Sequence, residues 1–402
     1  MLECFYTSLY DTGRGLLAPG VSRRLPAPLA SRVHAALARR RHPQLDPRLV
    51  SLIPWFYLAS QLVRRPLQSI SRLPREDTQS WANEMFDRAV SKRLTKHPAV
   101  DLVHGYEAGA LHTFRAAKRL AWTTMLEVTS ANELFCRSVS EEARLTGLPA
   151  RPAISRWAAE LAAERAWADY LLAPSELVAG CLREHGVPAA KLVKIPYGAN
   201  PGPAASRGDG PFRVLFVGHI GLRKGVRYLL EAFSRVDLPD AELTFIGDAD
   251  RDGQEFLRRY DGRYRWLGSL PPDRVRECFE ASSVFVLPTL AEGSALVVYE
   301  AMAAGLPVIV TPEAGSVVRA GHDGLIVPGR DVDALADALR YLYHHPAAGR
   351  AMGESGRELI QRQYTWGHYH GRVAAAYGAV ARGQSPQEAV GRLSPVDASQ
   401  PI

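Results

Sequence analysis

Between Ser283 and Val310 the chain reads SVFVLPTLAEGSALVVYEAMAAGLPVIV, and few architectures accept such a stretch. Val284 to Pro288 is apolar without alternation, the pattern of a strand covered on both faces in a parallel sheet. A loop with Glu292 and Gly293 follows, then a helix carrying Glu300, then a second apolar run. Two carboxylates therefore stand near one strand-to-helix turn. In open α/β sheets ligands gather outside the carboxyl ends of strands, where a helix N-terminus offers unpaired N–H groups to an anion. Gly293 lets the backbone approach a ligand closely, and the amides of Ser294, Ala295 and Leu296 are expected to face it.

The same alternation runs through the chain. In the first half, strands are expected at Cys4 to Leu9, Ala99 to His104, Trp122 to Val128, Tyr170 to Ala173 and Val193 to Pro196. Helices are expected at Trp81 to Thr95, Ala110 to Leu120, Ala158 to Ala168 and Ser175 to His185, the last capped by Ser175. A Gly-, Pro- and Ala-rich segment, GANPGPAASRGDGP, then marks a linker at 199–211. Strands resume at Arg213 to Val217, Leu243 to Ile246, Arg265 to Leu267 and Leu325 to Val327, with helices at Val226 to Val236 and Pro272 to Ala281. Short apolar strands alternating with helices imply doubly wound parallel sheets. A chain of 402 residues exceeds one ordinary core, so two domains are expected, 1–198 and 212–365. The polar residues 384–402 are expected to be disordered.

Charge is uneven. Residues 20–100 carry 15 Lys or Arg against 5 Asp or Glu, in a chain of net charge +7. Such a segment suits an anionic membrane surface, a polyanion or a phosphorylated substrate, or is an ordinary solvated surface. Within Leu49 to Val63, Trp55, Phe56 and Tyr57 lie between arginines, as an interfacial anchor does; the competing reading is a buried helix broken near Pro54. No apolar run reaches the ~18 residues needed to span a bilayer. Cys4, Cys136, Cys181 and Cys278 show no metal or redox spacing, and no leader-like segment opens the chain, which points to a cytoplasmic setting. The glycines in Asp11 to Gly15 and at Gly20 form a weak phosphate-loop signal, with a plain loop as the alternative.

The loop Gly218-His219-Ile220-Gly221-Leu222-Arg223-Lys224-Gly225 follows the strand at Arg213 to Val217. Its adjacent guanidinium and ammonium suit a diphosphate whose charge grows as it leaves a carbon, although alone they would be read as a solvated pair. Glu300 suits vicinal ribose hydroxyls, and Glu292 suits sugar hydroxyls. At the end of an earlier strand stand His104, Gly105, Tyr106 and Glu107, and Glu127 lies inside the next one.

On these residues, Arg213 to Trp366 resembles the donor-binding domain of retaining group-1 type glycosyltransferases, glycosyltransferase family 4-like, of GT-B architecture. The resemblance rests on Glu292-Gly293-Ser294-Ala295-Leu296 continuing through Glu300 to Ile309, which fits the family's E-x7-E motif. It implies two facing Rossmann-like doubly wound domains with a cleft between them. It also implies a nucleotide diphosphate sugar donor such as a UDP- or GDP-sugar, a saccharide or lipid-linked acceptor, no metal, no cofactor and no nucleic acid partner. Glu292 would contact the donor sugar, Glu300 the ribose, Arg223 and Lys224 the diphosphate, and the loop with Gly268 the base, while Gly218 and Gly293 to Leu296 complete the pocket. Residues 366–383 would form a helix returning to the first domain. The implied role is cell-surface polysaccharide or glycolipid synthesis at the inner face of the membrane. Tyr106 and Glu127 stand where family members often carry histidines, so Tyr106 is the acceptor-side candidate, with His104, His112 and Glu107 as alternatives. An epimerase or phosphorylase on the same architecture, and a catalytically silent sugar-nucleotide binder, are the rival readings.

Overall fold

A computed structural model describes residues 5–7, 50–52, 75–148, 155–202 and 210–393. The glycines of 11–20, Arg39 to Arg41 and Trp55 to Tyr57 lie outside the described residues. In chain order the elements are β1 Phe5–Thr7, β2 Val50–Leu52, α1 Arg75–Leu94, β3 Leu102–Tyr106, α2 Leu111–Arg119, β4 Thr123–Glu127, α3 Asn132–Leu145, α4 Ser155–Trp167, β5 Tyr170–Ala173, α5 Glu176–Glu184 and β6 Leu192–Lys194. There follow β7 Arg213–Val217, α6 Val226–Arg235, β8 Glu242–Ile246, α7 Arg251–Arg259, β9 Arg265–Trp266, α8 Pro272–Glu280, β10 Val284–Leu287 and α9 Leu296–Ala303. The last are β11 Val308–Val310, β12 Gly324–Ile326, α10 Val332–His344, α11 Pro346–Gln363, α12 Trp366–Ala381 and α13 Pro386–Gly391. Two compact units result, one of residues 1–126 with 159–169, the other of 127–158 with 170–402. The division does not fall at the 199–211 linker.

In the first unit β1 and β2 pair in parallel, Phe5 opposite Val50 and Thr7 opposite Leu52. This corrects the helix reading at its start: Val50 to Leu52 is a strand, because backbone pairing with β1 outweighs the local apolar pattern. Strand β3 lies beside β4. Helix α1 brings Val90 and Leu94 onto Ala116, Ala117 and Trp122 in a small apolar core. Helix α2 has no cap from its own Ala110, and its opening amides are satisfied from afar. His112 and Thr113 donate to Asp87 (2.6 and 2.8 Å), and Ala108 and Ala110 donate to Glu164 (2.7 and 2.9 Å).

The second unit is dominated by a six-stranded sheet in the order β12-β11-β10-β7-β8-β9, with its pairs parallel. All four residues of β10 are fully buried, which accounts for its unbroken apolar sequence. The chain lays β7, β8 and β9 in one direction, then crosses to the other side of β7 for β10, β11 and β12. The carboxyl ends of β7 and β10 therefore flank a topological switch point, the place where open α/β sheets bind ligands. In the same unit β5 and β6 pair in parallel, and α13 packs on β6. Tyr197 meets the rings of Trp366 and Tyr369 at 6.5 and 5.9 Å, and α12 opens with a capping box between Thr365 and His368.

Helix α13 corrects the expectation of a disordered tail from 384. Ser385 caps it, Pro386 occupies its first turn, and Ala389 and Val390 are buried. The polar composition of the tail concealed this small buried face. Among the described residues, no helix is long and apolar enough to cross a membrane.

Candidate functional site

Because β7 and β10 are adjacent and parallel, with Val214 opposite Val284 and Leu215 opposite Phe285, their following loops emerge side by side. The loops interlock. After β7, the 3-10 turn Leu222–Lys224 ends at Gly225, whose φ of 65° is left-handed. A Cβ at Gly225 would collide with the Pro288 carbonyl oxygen, so glycine is needed on both counts. The Arg223 carbonyl accepts from the Leu290 amide (2.8 Å) and the Thr289 hydroxyl (3.1 Å).

This backbone pairing directs both cations at one carboxylate. Arg223 Nη1 donates to the Ala291 carbonyl (3.0 Å) and to Glu292 Oε1, and Lys224 Nζ reaches the same Oε1. The three side chains are 26, 11 and 14% exposed for Arg223, Lys224 and Glu292, so the cluster is shielded yet open to solvent on the Arg223 side. Burial lowers the Lys224 pKa, and the Glu292 charge opposes that shift. Beneath the guanidinium, the Phe135 ring of α3 lies 5.4 Å away.

The loop into α9 differs in two details from the expectation. The Ala295 amide is not free for a ligand: it donates to the Ala314 carbonyl at 3.0 Å. Leu296 is the first helical residue, and α9 has no side-chain cap. Gly293 is tight against protein backbone, since a Cβ would collide with the Thr129 carbonyl oxygen. Its own carbonyl accepts from the Ser175 hydroxyl, which also caps α5. Ser294 is buried, with its hydroxyl 2.9 Å from that of Tyr299.

Glu300 sits in the second turn of α9 with an exposed side chain, close enough to packed protein that desolvation raises its carboxyl pKa. Gly218 follows β7 directly, its amide bonded to the Ile246 carbonyl (2.9 Å). Gly268, left-handed at φ 66°, accepts from the Gly247 amide (2.8 Å). Both lie on the same sheet edge as the charged cluster. Tyr106 ends β3 in the first unit, 59% exposed and stacked on His104 at 5.6 Å. There too Glu107 pairs with Arg165 at 2.8 Å, and the His112 amide serves the α2 cap. Glu127, in the second unit, is buried with Tyr369 at 3.4 Å. Sequence reasoning did not single out Phe135 or Thr129, and read Ser175 only as a helix cap, because nothing local ties them to loops 88 to 164 residues away. His219, 3.3 Å from Asp250, was also passed over, although its place between two glycines of the basic loop was a usable signal.

The family model for group 1 glycosyl transferases matches residues 211–345, the segment that holds the cations, Glu292 and Glu300. Residues 211–345 are a group 1 glycosyltransferase domain. This glycosyltransferase domain is also where curated relatives align. The sulfoquinovosyl transferase of Arabidopsis thaliana is 31% identical over 160 residues, 38% of this chain and 30% of the relative. The alpha-maltose-1-phosphate synthase of Mycolicibacterium smegmatis is 31% identical over 186 residues, 42% of this chain and 48% of the relative. The chain thus spans 30 to 48% of the length of these relatives. Among solved structures, sucrose-phosphate synthase from Thermosynechococcus elongatus superimposes with a TM-score of 0.64 at 24% identity, over 78% of this chain and 81% of that one. The chain shares the GT-B fold of that enzyme, with the glycosyltransferase domain as its C-terminal sheet.

Proposed function

We propose that the chain is a retaining glycosyltransferase that moves a sugar from a nucleotide diphosphate sugar, a UDP- or GDP-sugar, to a saccharide or lipid-linked acceptor. The observation that carries this reading is the convergence of Arg223 and Lys224 on Glu292 at the switch point, beside the uncapped N-terminus of α9. Such a cluster suits a diphosphate next to a sugar: the cations stabilise charge that develops on the departing phosphate, and the carboxylate orients hydroxyls. In the reaction the bond from the anomeric carbon to phosphate breaks and the acceptor oxygen bonds to that carbon on the same face. The acceptor proton passes to the departing phosphate oxygen, so no strong protein base is required and Tyr106 serves only as a hydrogen-bonding group. Glu300 takes the ribose and the Gly268 loop the base. No metal is needed, because Arg223 and Lys224 supply the charge.

The acceptor belongs to cell-surface polysaccharide or glycolipid synthesis at the cytoplasmic face of the membrane, a reading supported by the basic segment 20–100. Incubation with a panel of nucleotide sugars and analysis of products tests the whole reading. Transfer with retained anomeric configuration supports it. Epimerised donor, phosphate-dependent cleavage, or binding without turnover would replace it with another activity.

A further inference from the structure

We infer that Glu133, Cys181 and His185 form a binding site for a divalent transition-metal ion, zinc by its donor set. Glu133 lies in the first turn of α3, Cys181 on α5, and His185 at the C-terminal cap of α5 one turn further on. The four-residue spacing places thiol and imidazole on one helix face. One donor atom from each of the three residues falls within 4.8 Å of the others. The thiol sulfur is 3.8 Å from Glu133 Oε2 and 3.9 Å from His185 Nδ1, which lies 2.8 Å from the Cys181 carbonyl oxygen and gives up that bond when it takes a metal. A tetrahedral zinc with bonds of about 2.0–2.3 Å holds its donors roughly 3.5 Å apart, so small side-chain rotations close the site.

The mixture of donors selects the ion. Thiolate and imidazole disfavour magnesium and calcium, which take oxygen, and favour zinc. Metal binding requires loss of the thiol proton, and the buried position of Cys181 makes a bare thiolate beside a carboxylate unfavourable without a cation. His185 is exposed, which gives an entry path and leaves the fourth position to water. The ion would pin α3 to α5. Those helices carry Phe135 under Arg223 and Ser175 against Gly293, so occupancy would stiffen both supports of the charged loops.

Cobalt(II) titration of the full-length chain, stripped with a chelator, tests the site by absorbance. The expected result is saturation at one equivalent with a near-ultraviolet thiolate-to-cobalt band and the intense visible bands of a four-coordinate ion, all displaced by zinc. Cys181→Ser should abolish the thiolate band. Should that buried substitution reduce folding, Glu133→Gln and His185→Gln should each weaken cobalt binding tenfold or more, with the far-ultraviolet spectrum unchanged. No thiolate band in the wild type, a band retained in Cys181→Ser, or unchanged affinity in both other variants would overturn the proposal.

Discussion

Glu292 pairs with two cations through one oxygen. Glu292→Gln keeps the shape and removes the charge that opposes the lowering of the Lys224 pKa by burial. We expect transfer to fall by about a hundredfold or more, as when a preorganised polar group is lost from an active site, with the melting temperature little changed. Steady-state rates with the best donor check this. Gly293→Ala acts differently, because its Cβ would collide with the Thr129 carbonyl oxygen. Urea denaturation should show a loss of about 1–3 kcal/mol, the usual cost of overpacking. Glu164 in the first unit gives a pH signature. Burial raises its pKa from 4.5 to about 7 despite the two amides it accepts. The folded state thus holds its proton more tightly than the unfolded chain does. Its contribution to stability is full below pH 4.5 and lost as pH rises to about 7, by up to about 3 kcal/mol. Melting curves across that window should show a smaller fall in Glu164→Gln than in the wild type.

Helix α3 supports the charged loop from below, through Phe135 and through a buried carboxylate one turn before its end. Glu142 accepts from Tyr228 (2.8 and 3.0 Å) and from Arg330 Nε (3.2 Å), forms an ion pair with Arg227, whose Nε is 2.9 Å away, and is 1% exposed. Burial beside Glu142 pushes the Tyr228 phenol up to about 12, so it stays a donor at any ordinary pH. Glu142→Ala strands two donors and breaks the Arg227 ion pair, and about 2–3 kcal/mol of stability should go with it, since the arginines keep partial access to water. Chemical denaturation measures this. Donor KM should rise as well, because α3 packs on the 3-10 turn carrying Arg223 and Lys224. None of this network was legible in the sequence, where Glu142, Tyr228 and Arg330 are ordinary residues in three separate segments. The strands of the glycosyltransferase domain were legible, since Arg213 to Val217 and Val284 to Leu287 are apolar runs with turn residues after them. Strand β2 was not, because its pairing with β1 depends on residues 45 positions away.

Across the molecule, the sheet order places β7 beside β10, and that adjacency turns two loops about 70 residues apart into one charged site. Sequence motifs identified Arg223, Lys224 and Glu292, with the cations on a diphosphate and the carboxylate on the adjoining sugar, but not the ion pairs of both cations with Glu292. Their contact in the fold depends on long-range register, which no local pattern records. The same holds for residues 127–158 and 170–198, which the sequence joined to the first half and which pack with the second unit. The account stands on that site binding a nucleotide sugar. Calorimetric titration of the wild type and Lys224→Met with UDP- and GDP-sugars tests it most directly. The account predicts saturable one-to-one binding of at least one donor to the wild type, weakened tenfold or more in Lys224→Met. Absence of binding across the panel, or equal affinity in both proteins, would contradict it.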